Sequence, residues 1–148
     1  MDKREMKVLI FSIDGEAYAA DIMEVERILG YEVPTRIPES PGFVEGVINY
    51  EGSILPVISL SYKFYAKRNI ISSESKIIVS KQDKNKIGII VDIVSEVREI
   101  SPSDIENPPE IVSGISKRYI KGLIKIKDKI VIILNLKTVL TEEEKKLI

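Results

Sequence analysis

Residues 46–60 read GVINYEGSILPVISL and residues 122–136 read GLIKIKDKIVIILNL, so one fifteen-residue pattern occurs twice in this chain. Each copy begins with Gly and two aliphatic residues, passes through a charged turn, and ends in an aliphatic run closed by Leu. Two apolar runs joined by a short polar turn are typical of a β-hairpin. The sequence therefore predicts two equivalent hairpins.

A second pair of segments supports the repeat. Residues 18–28 align with residues 87–97. The aliphatic residues that then fall on each other are Ile22 on Val91, Val25 on Val94, and Ile28 on Val97. Two copies of one β unit indicate a pseudo-symmetric pair of small barrels, an architecture that most often serves as a binding scaffold.

The composition limits the possible functions. The 148 residues are 44% hydrophobic and carry a formal charge of −1, from 22 basic and 23 acidic side chains. A small β-barrel that binds nucleic acid is an alternative, but neither the charge nor the three Phe, six Tyr and absent Trp favour it. Because the chain has no Cys and no His, disulfides, thiol nucleophiles and imidazole chemistry are excluded.

The chain starts with the charged residues 1–5, which do not resemble the apolar core of a signal peptide. No apolar run approaches the roughly 18 residues that a membrane span requires. We therefore expect a cytoplasmic protein that does not insert into a membrane itself.

Many short apolar runs with frequent turn signals predict an all-β fold with small helical caps. The predicted strands and hairpins cover residues 7–13, 17–20, 43–60, 76–80, 87–94 and 120–136. Residues 22–29 fit either a helical turn or a strand after a bulge, and residues 111–119 either a strand or a loop. Helices are expected at residues 61–68 and 136–148.

Three patterns could carry chemistry, and each has a simpler explanation. Residues 83–88 resemble the start of a calcium loop, but Val94 stands where the bidentate acid is needed. Serines near lysines at residues 61–63 and 116–117 have no glycine-rich oxyanion loop beside them. Asp21 and Asp92 occupy similar places in the two repeats, where such residues more often accept backbone amides than transfer protons. We predict no catalytic residues, no metal, no cofactor, and no enzymatic activity.

Five aliphatic residues exceed what one small barrel needs for its core, and they are Leu9, Ile22, Val25, Ile28 and Val94. For any one of them taken alone, a place in the core is the better interpretation. If some point outward together, they would form an apolar groove for a protein partner.

The order of several motifs resembles the CheW family of bacterial chemotaxis coupling proteins. The segment FVEGVIN at residues 43–49, then Gly52 and ILPVI at residues 54–58, carries most of the resemblance. Further matches are residues 18–38, 88–97, 119–122 and 134–136. The resemblance extends over roughly residues 7–140.

This resemblance implies one CheW-like domain over residues 1–148, built from two intertwined five-stranded SH3-like barrels with short helices and a C-terminal helix. The repeats would cover approximately residues 7–68 and 76–140 and exchange strands. The implied function is a non-enzymatic scaffold that couples the tips of methyl-accepting chemotaxis receptors to the histidine kinase CheA, at membrane-associated receptor arrays. An accessory CheW-like domain that serves a divergent receptor or a side pathway is the alternative.

The resemblance also implies two binding surfaces. The contact with the regulatory domain of CheA would be apolar and would fall on Leu9, Ile22, Val25, Ile28 and Val94. The receptor would face the first hairpin at Gly46, Asn49, Glu51 and Gly52. In the family the hairpin tip is typically Asn-Leu-Arg-Gly, and here it is Asn-Tyr-Glu-Gly, so one charge on this surface is reversed.

Overall fold

The computed structural model describes residues 5–110 and 114–148, and this part of the chain is mostly β-strand. In chain order the strands are β1 (Met6–Ile13), β2 (Glu16–Asp21), β3 (Val25–Gly30), β4 (Val44–Tyr50), β5 (Ser53–Ile58), β6 (Lys76–Gln82), β7 (Asn85–Val91), β8 (Ile93–Ile100), β9 (Ile120–Ile126) and β10 (Lys129–Leu134). Both predicted hairpins are present, as β4–β5 and β9–β10. The segment at residues 22–29 contains both of the structures considered for it, a 3-10 turn at Ile22–Glu24 followed by β3.

The helices are short: α1 (Leu60–Tyr65), α2 (Gly114–Tyr119) and α3 (Glu142–Lys145). The C-terminal helix is much shorter than the predicted residues 136–148. Asn135 caps a separate 3-10 turn, and Thr141 then starts α3 through a capping box with Glu144. The expectation of a strand or loop at residues 111–119 is wrong where α2 lies, and residues 111–113 are outside the described part.

The strands form two five-stranded sheets. Sheet I has the order β8-β1-β2-β10-β9, and sheet II has the order β3-β6-β7-β5-β4. Within the described residues the outer strands of a sheet do not pair with each other, so these are sheets rather than closed barrels. The all-β class with two five-stranded units is confirmed.

The two sheets have the same plan. If the chain is taken as β1–β5 followed by β6–β10, each sheet combines the first two strands of one set with the last three of the other. The junctions are parallel and equivalent: Val57 lies opposite Gly88 in sheet II, and Ile133 lies opposite Ala19 in sheet I. The β-bulges also lie at equivalent positions, between Val44 and Gly46 in β4 and between Ile120 and Gly122 in β9. The boundaries proposed for the two repeats, residues 7–68 and 76–140, stay a prediction.

Three apolar clusters hold the sheets together. One cluster is formed by residues of sheet I and one by residues of sheet II. The largest lies between the two sheets and contains residues of both. The strands β1 and β7 are buried on both faces: Val8 belongs to the cluster of sheet I, whereas its neighbour Leu9 belongs to the central cluster. Their apolar runs are therefore continuous and lack the alternation of a half-exposed strand.

A close backbone approach explains the glycine that opens each hairpin pattern. At the outer edge of sheet II, Thr35 forms two backbone hydrogen bonds with Val47, of 2.8 and 2.9 Å, so its backbone lies next to Gly46. A Cβ atom on Gly46, where φ is +143°, would lie 2.2 Å from the Thr35 carbonyl oxygen. In sheet I a Cβ atom on Gly122 would lie 2.9 Å from the Glu106 carbonyl oxygen and 2.4 Å from Ile105 Cγ2. Both positions exclude any side chain.

We expect Gly46→Ala to lower the free energy of unfolding by about 2–3 kcal/mol, because it combines backbone strain with a clash against a carbonyl group. The matched control is Gly30→Ala, since a Cβ atom there has no neighbour within 4 Å. Urea unfolding measures both. Equal midpoints for the two variants would show that the approach of Thr35 does not constrain the hairpin.

Candidate functional site

The five aliphatic residues predicted to contact the kinase differ in their exposure to solvent. Leu9 is 1% exposed and lies in the central cluster, so the expectation that its side chain faces outward is wrong. Ile22, Val25 and Val94 are half-buried and pack on that cluster, and Ile28 is 38% exposed. Four of the five residues therefore reach the surface.

These four residues lie on or next to β3 and β8, which occupy equivalent ends of the two sheets. The opposite ends, β4 and β9, are each covered by a backbone bridge, from Thr35 and from Glu106. In the described part of the chain β3 and β8 have no such cover. We call β3 and β8 the edge strands.

The sequence prediction misses two exposed aliphatic residues on β8. Ile93 is 39% exposed and Val97 is 52% exposed. The repeat alignment places Val97 at the position of Ile28, so a signal for it exists. That signal is easily overlooked, because residues 95–99 are otherwise polar and show no strand pattern.

The hairpin tip, residues 49–52, is a tight turn at the end of β4. Glu51 and Gly52 have φ values of 51° and 81°, and the Asn49 side-chain oxygen accepts the Gly52 N–H at 3.1 Å. Two successive residues with positive φ match the twist of the flanking strands. Of the four residues predicted to face the receptor, Asn49, Glu51 and Gly52 form this tip. Gly46 is buried three residues before it, at the contact with Thr35.

A cluster of polar groups connects the hairpin tip to the edge strand β3. The Tyr50 hydroxyl donates to Glu26 at 2.6 Å, and Lys86 Nζ lies 2.9 Å from the same carboxylate. The Tyr50 ring is flanked by Arg27 and Lys86, at 6.0 and 5.6 Å from its centroid. We call Glu26, Tyr50 and Lys86 the Tyr50 cluster.

These contacts shift two pKa values in opposite directions. Hydrogen bonds from Tyr50 and Lys86 lower the pKa of Glu26, because they stabilise its charged form. The hydrogen bond to Glu26, together with burial, raises the pKa of Tyr50 to about 12. The carboxylate is therefore ionised and the phenol protonated at neutral pH, which is the pairing that the hydrogen bond requires.

A second ion pair lies beside this cluster, closer to solvent. Arg27 on β3 and Glu51 at the hairpin tip approach to 3.2 Å, and their side chains are 56% and 53% exposed. A cavity of 550 Å³ opens next to Glu51 and is also lined by Ile54, Pro56 and Lys86. Ile54 is 77% exposed, so an apolar surface adjoins the pair.

The two aspartates weighed for acid–base chemistry have structural roles. Asp21 accepts the Met23 N–H at 3.0 Å, and Asp92 accepts the Asp14 N–H at 2.7 Å, so both bind backbone amides as the simpler interpretation held. The segment that resembles a calcium loop, residues 83–88, consists of the β6–β7 turn and the first four residues of β7. Over residues 5–110 and 114–148, no group of three or more Asp, Glu, His or Cys is placed to bind a metal ion.

Each helix in the described part of the chain is too short to span a membrane.

Comparison with known proteins gives one consistent result. A family model described as a CheW-like domain matches residues 7–144. The chemotaxis protein CheW of Klebsiella aerogenes is 33% identical over 140 residues, which cover 95% of this chain and 84% of that protein. The chemotaxis protein CheW of Thermotoga maritima is 30% identical over 142 residues, which cover 94% and 90%. Among solved structures, the scaffolding protein TtCheW from Thermoanaerobacter tengcongensis has a TM-score of 0.82 and 38% identity, over 91% of this chain and 87% of that one.

We expect Glu26→Gln to flatten the dependence of stability on acid pH. Because the folded-state pKa of Glu26 lies below the unfolded value of about 4.3, its contribution is present above that value. It is lost as the pH falls through the folded-state pKa. Urea midpoints measured between about pH 6 and pH 3 should fall less steeply in Glu26→Gln than in the parent protein. A slope unaltered by Glu26→Gln would contradict the role of the cluster.

Proposed function

The chain belongs to the family of CheW-like domains and is a non-enzymatic scaffold of chemotaxis signalling, and we propose that it couples the cytoplasmic tips of methyl-accepting chemotaxis receptors to the histidine kinase CheA. The observation that most supports this proposal is the match over residues 7–144, which includes both edge strands and the hairpin tip. A scaffold needs at least two surfaces that differ in chemistry. Here an apolar surface on β3 and β8 lies beside a charged hairpin tip.

We assign the contact with the regulatory domain of CheA to Ile22, Val25, Ile28 and Val94. These side chains are half-buried or exposed, and they surround strand edges that are not covered by other described segments. Burial of a few hundred Å² of apolar surface would contribute several kcal/mol before the costs of association. Leu9 lies beside this surface, because it is the cross-strand partner of the exposed Val97 in the β1–β8 pairing but is itself buried.

We assign the contact with the receptor to the hairpin tip. Asn49 and Gly52 fix the shape of the turn, and Glu51 supplies the charge that faces outward. Gly46 acts at a distance by holding the base of β4 against Thr35. Since the receptors are membrane proteins, this assignment places the chain in the cytoplasm at receptor arrays, without insertion of its own.

The direct test is a bridging assay. A soluble receptor fragment containing the cytoplasmic tip and the regulatory domain of CheA are mixed with and without this protein. We expect the receptor fragment to retain the regulatory domain of CheA only when the protein is present, because neither surface alone can join the two partners. Binding of just one partner, in separate titrations of each, would contradict the coupling function.

We expect Ile28→Asp and Val25→Asp to weaken binding of the kinase's regulatory domain at least about tenfold, because a carboxylate would be buried against an apolar partner. Isothermal titration gives the affinity, and circular dichroism should remain native. Ile70→Asp is the matched control, since Ile70 is 84% exposed and belongs to the loop between α1 and β6 rather than to an edge strand. If Ile28→Asp folds and binds as tightly as Ile70→Asp, β3 is not the kinase contact.

A further inference from the structure

The repeated architecture gives this molecule two similar ends, and their charges differ. Glu51 and Gly52 form the turn of β4–β5, whereas Lys127 and Asp128 occupy the equivalent positions in the turn of β9–β10. Arg27 and Glu96 occupy equivalent bulge positions, opposite Val79 and Ile10. At the end of sheet I, Glu96 pairs with Arg98 on its own strand, at 3.3 Å. Only the end of sheet II joins its hairpin tip to its edge strand through an ion pair, among the described residues.

The surroundings of the Arg27–Glu51 pair fix which end of it is the cation and where each charge lies. The turn fixes the backbone at Glu51, because two positive φ values and the Asn49 hydrogen bond define it. The Tyr50 ring lies beside the Arg27 guanidinium. Glu26 and Lys86 neutralise each other next to the ring. The charges that this end presents to solvent are therefore a cation on β3 and an anion on the tip.

We propose that the Arg27–Glu51 pair is a specificity determinant that sets the orientation of the receptor on this surface. In this arrangement Arg27 binds a carboxylate of the receptor, and Glu51 binds an amino or guanidinium group of the receptor. This inference rests on the proposed function, and it adds Arg27 and a required charge order to the receptor contact.

The energetics suit such a role. An exposed ion pair contributes about 0–1 kcal/mol to stability, so exchange of its partners for receptor groups costs little. A receptor docked in the reverse orientation would place like charges opposite each other, which is strongly unfavourable. The exposed Ile54 and the adjoining cavity supply apolar contact area in either orientation, so the charges decide between them.

A charge-swap series tests the proposal. Arg27→Glu and Glu51→Arg each place like charges side by side, while the double variant R27E/E51R restores an internal pair with reversed direction. We expect the double variant to keep the parent's urea midpoint and to lose at least about tenfold in affinity for the receptor fragment. The matched control is E96R/R98E, which reverses the equivalent pair on β8 and should retain receptor affinity. Affinity for the kinase's regulatory domain should stay unchanged throughout, because Arg27 and Glu96 lie on the opposite faces of their strands from Ile28 and Val97.

Several results would overturn the proposal. Recovery of parent affinity in R27E/E51R would mean that the pair serves the fold alone. Equal losses in R27E/E51R and E96R/R98E would mean a non-specific charge effect. A loss of kinase affinity with receptor affinity intact would assign the pair to the other surface. Absence of receptor binding by the parent protein would instead refute the proposed function, so the two failures are distinguishable.

Discussion

The structure depends on the two parallel junctions where strands from distant parts of the chain pair, β2 with β10 and β5 with β7. They place the sheets on either side of one shared apolar cluster. The same connection is reinforced at Leu136: the buried Glu24 accepts its N–H at 3.4 Å, and Gln82 donates to its carbonyl oxygen at 2.8 Å. An uncompensated polar group at such a buried site would be costly, so each sheet stabilises the other. Neither sheet can shift as an independent body.

A rigid frame of this kind suits a scaffold, because a scaffold transmits a signal by holding its partners in fixed relative positions. The repeat leaves equivalent edge strands, β3 and β8, open to solvent, and by itself it would make them interchangeable. The Tyr50 cluster removes that equivalence. It ties one hairpin tip to β3, and it brings the apolar residues of that strand and the charge at Glu51 into one connected surface. Differences in side chains on matching backbones thus make the two ends of the molecule chemically distinct.

Much of the fold can be predicted from the sequence, because the signals are local. The hairpins have clear turns at residues 50–52 and 127–128, and the repeat alignment pairs Ile28 with Val97, which occupy equivalent places on the two edge strands. The prediction fails where burial or a side-chain contact depends on residues that are distant in the sequence. Leu9 cannot be recognised as core from β1 alone, since that strand is apolar on both faces. Strand β8 escapes prediction because four of its residues between 95 and 99 are polar, so the segment shows no apolar strand pattern. The ion pairs of Arg27 and Lys86 depend on side chains brought together only by folding.

The strand order also determines when each sheet can form on the ribosome. All strands of sheet II lie between Val25 and Val91, so it can assemble while the last third of the chain is still being synthesised. The β1–β2 hairpin is made first, yet it must wait for β8 and for β10, which ends at Leu134. During that interval its apolar faces and both of its edges are open. A chain truncated before β10 would therefore contain every strand of sheet II, but its β1–β2 hairpin would lack the parallel partner of β2 and the shared apolar cluster would be incomplete.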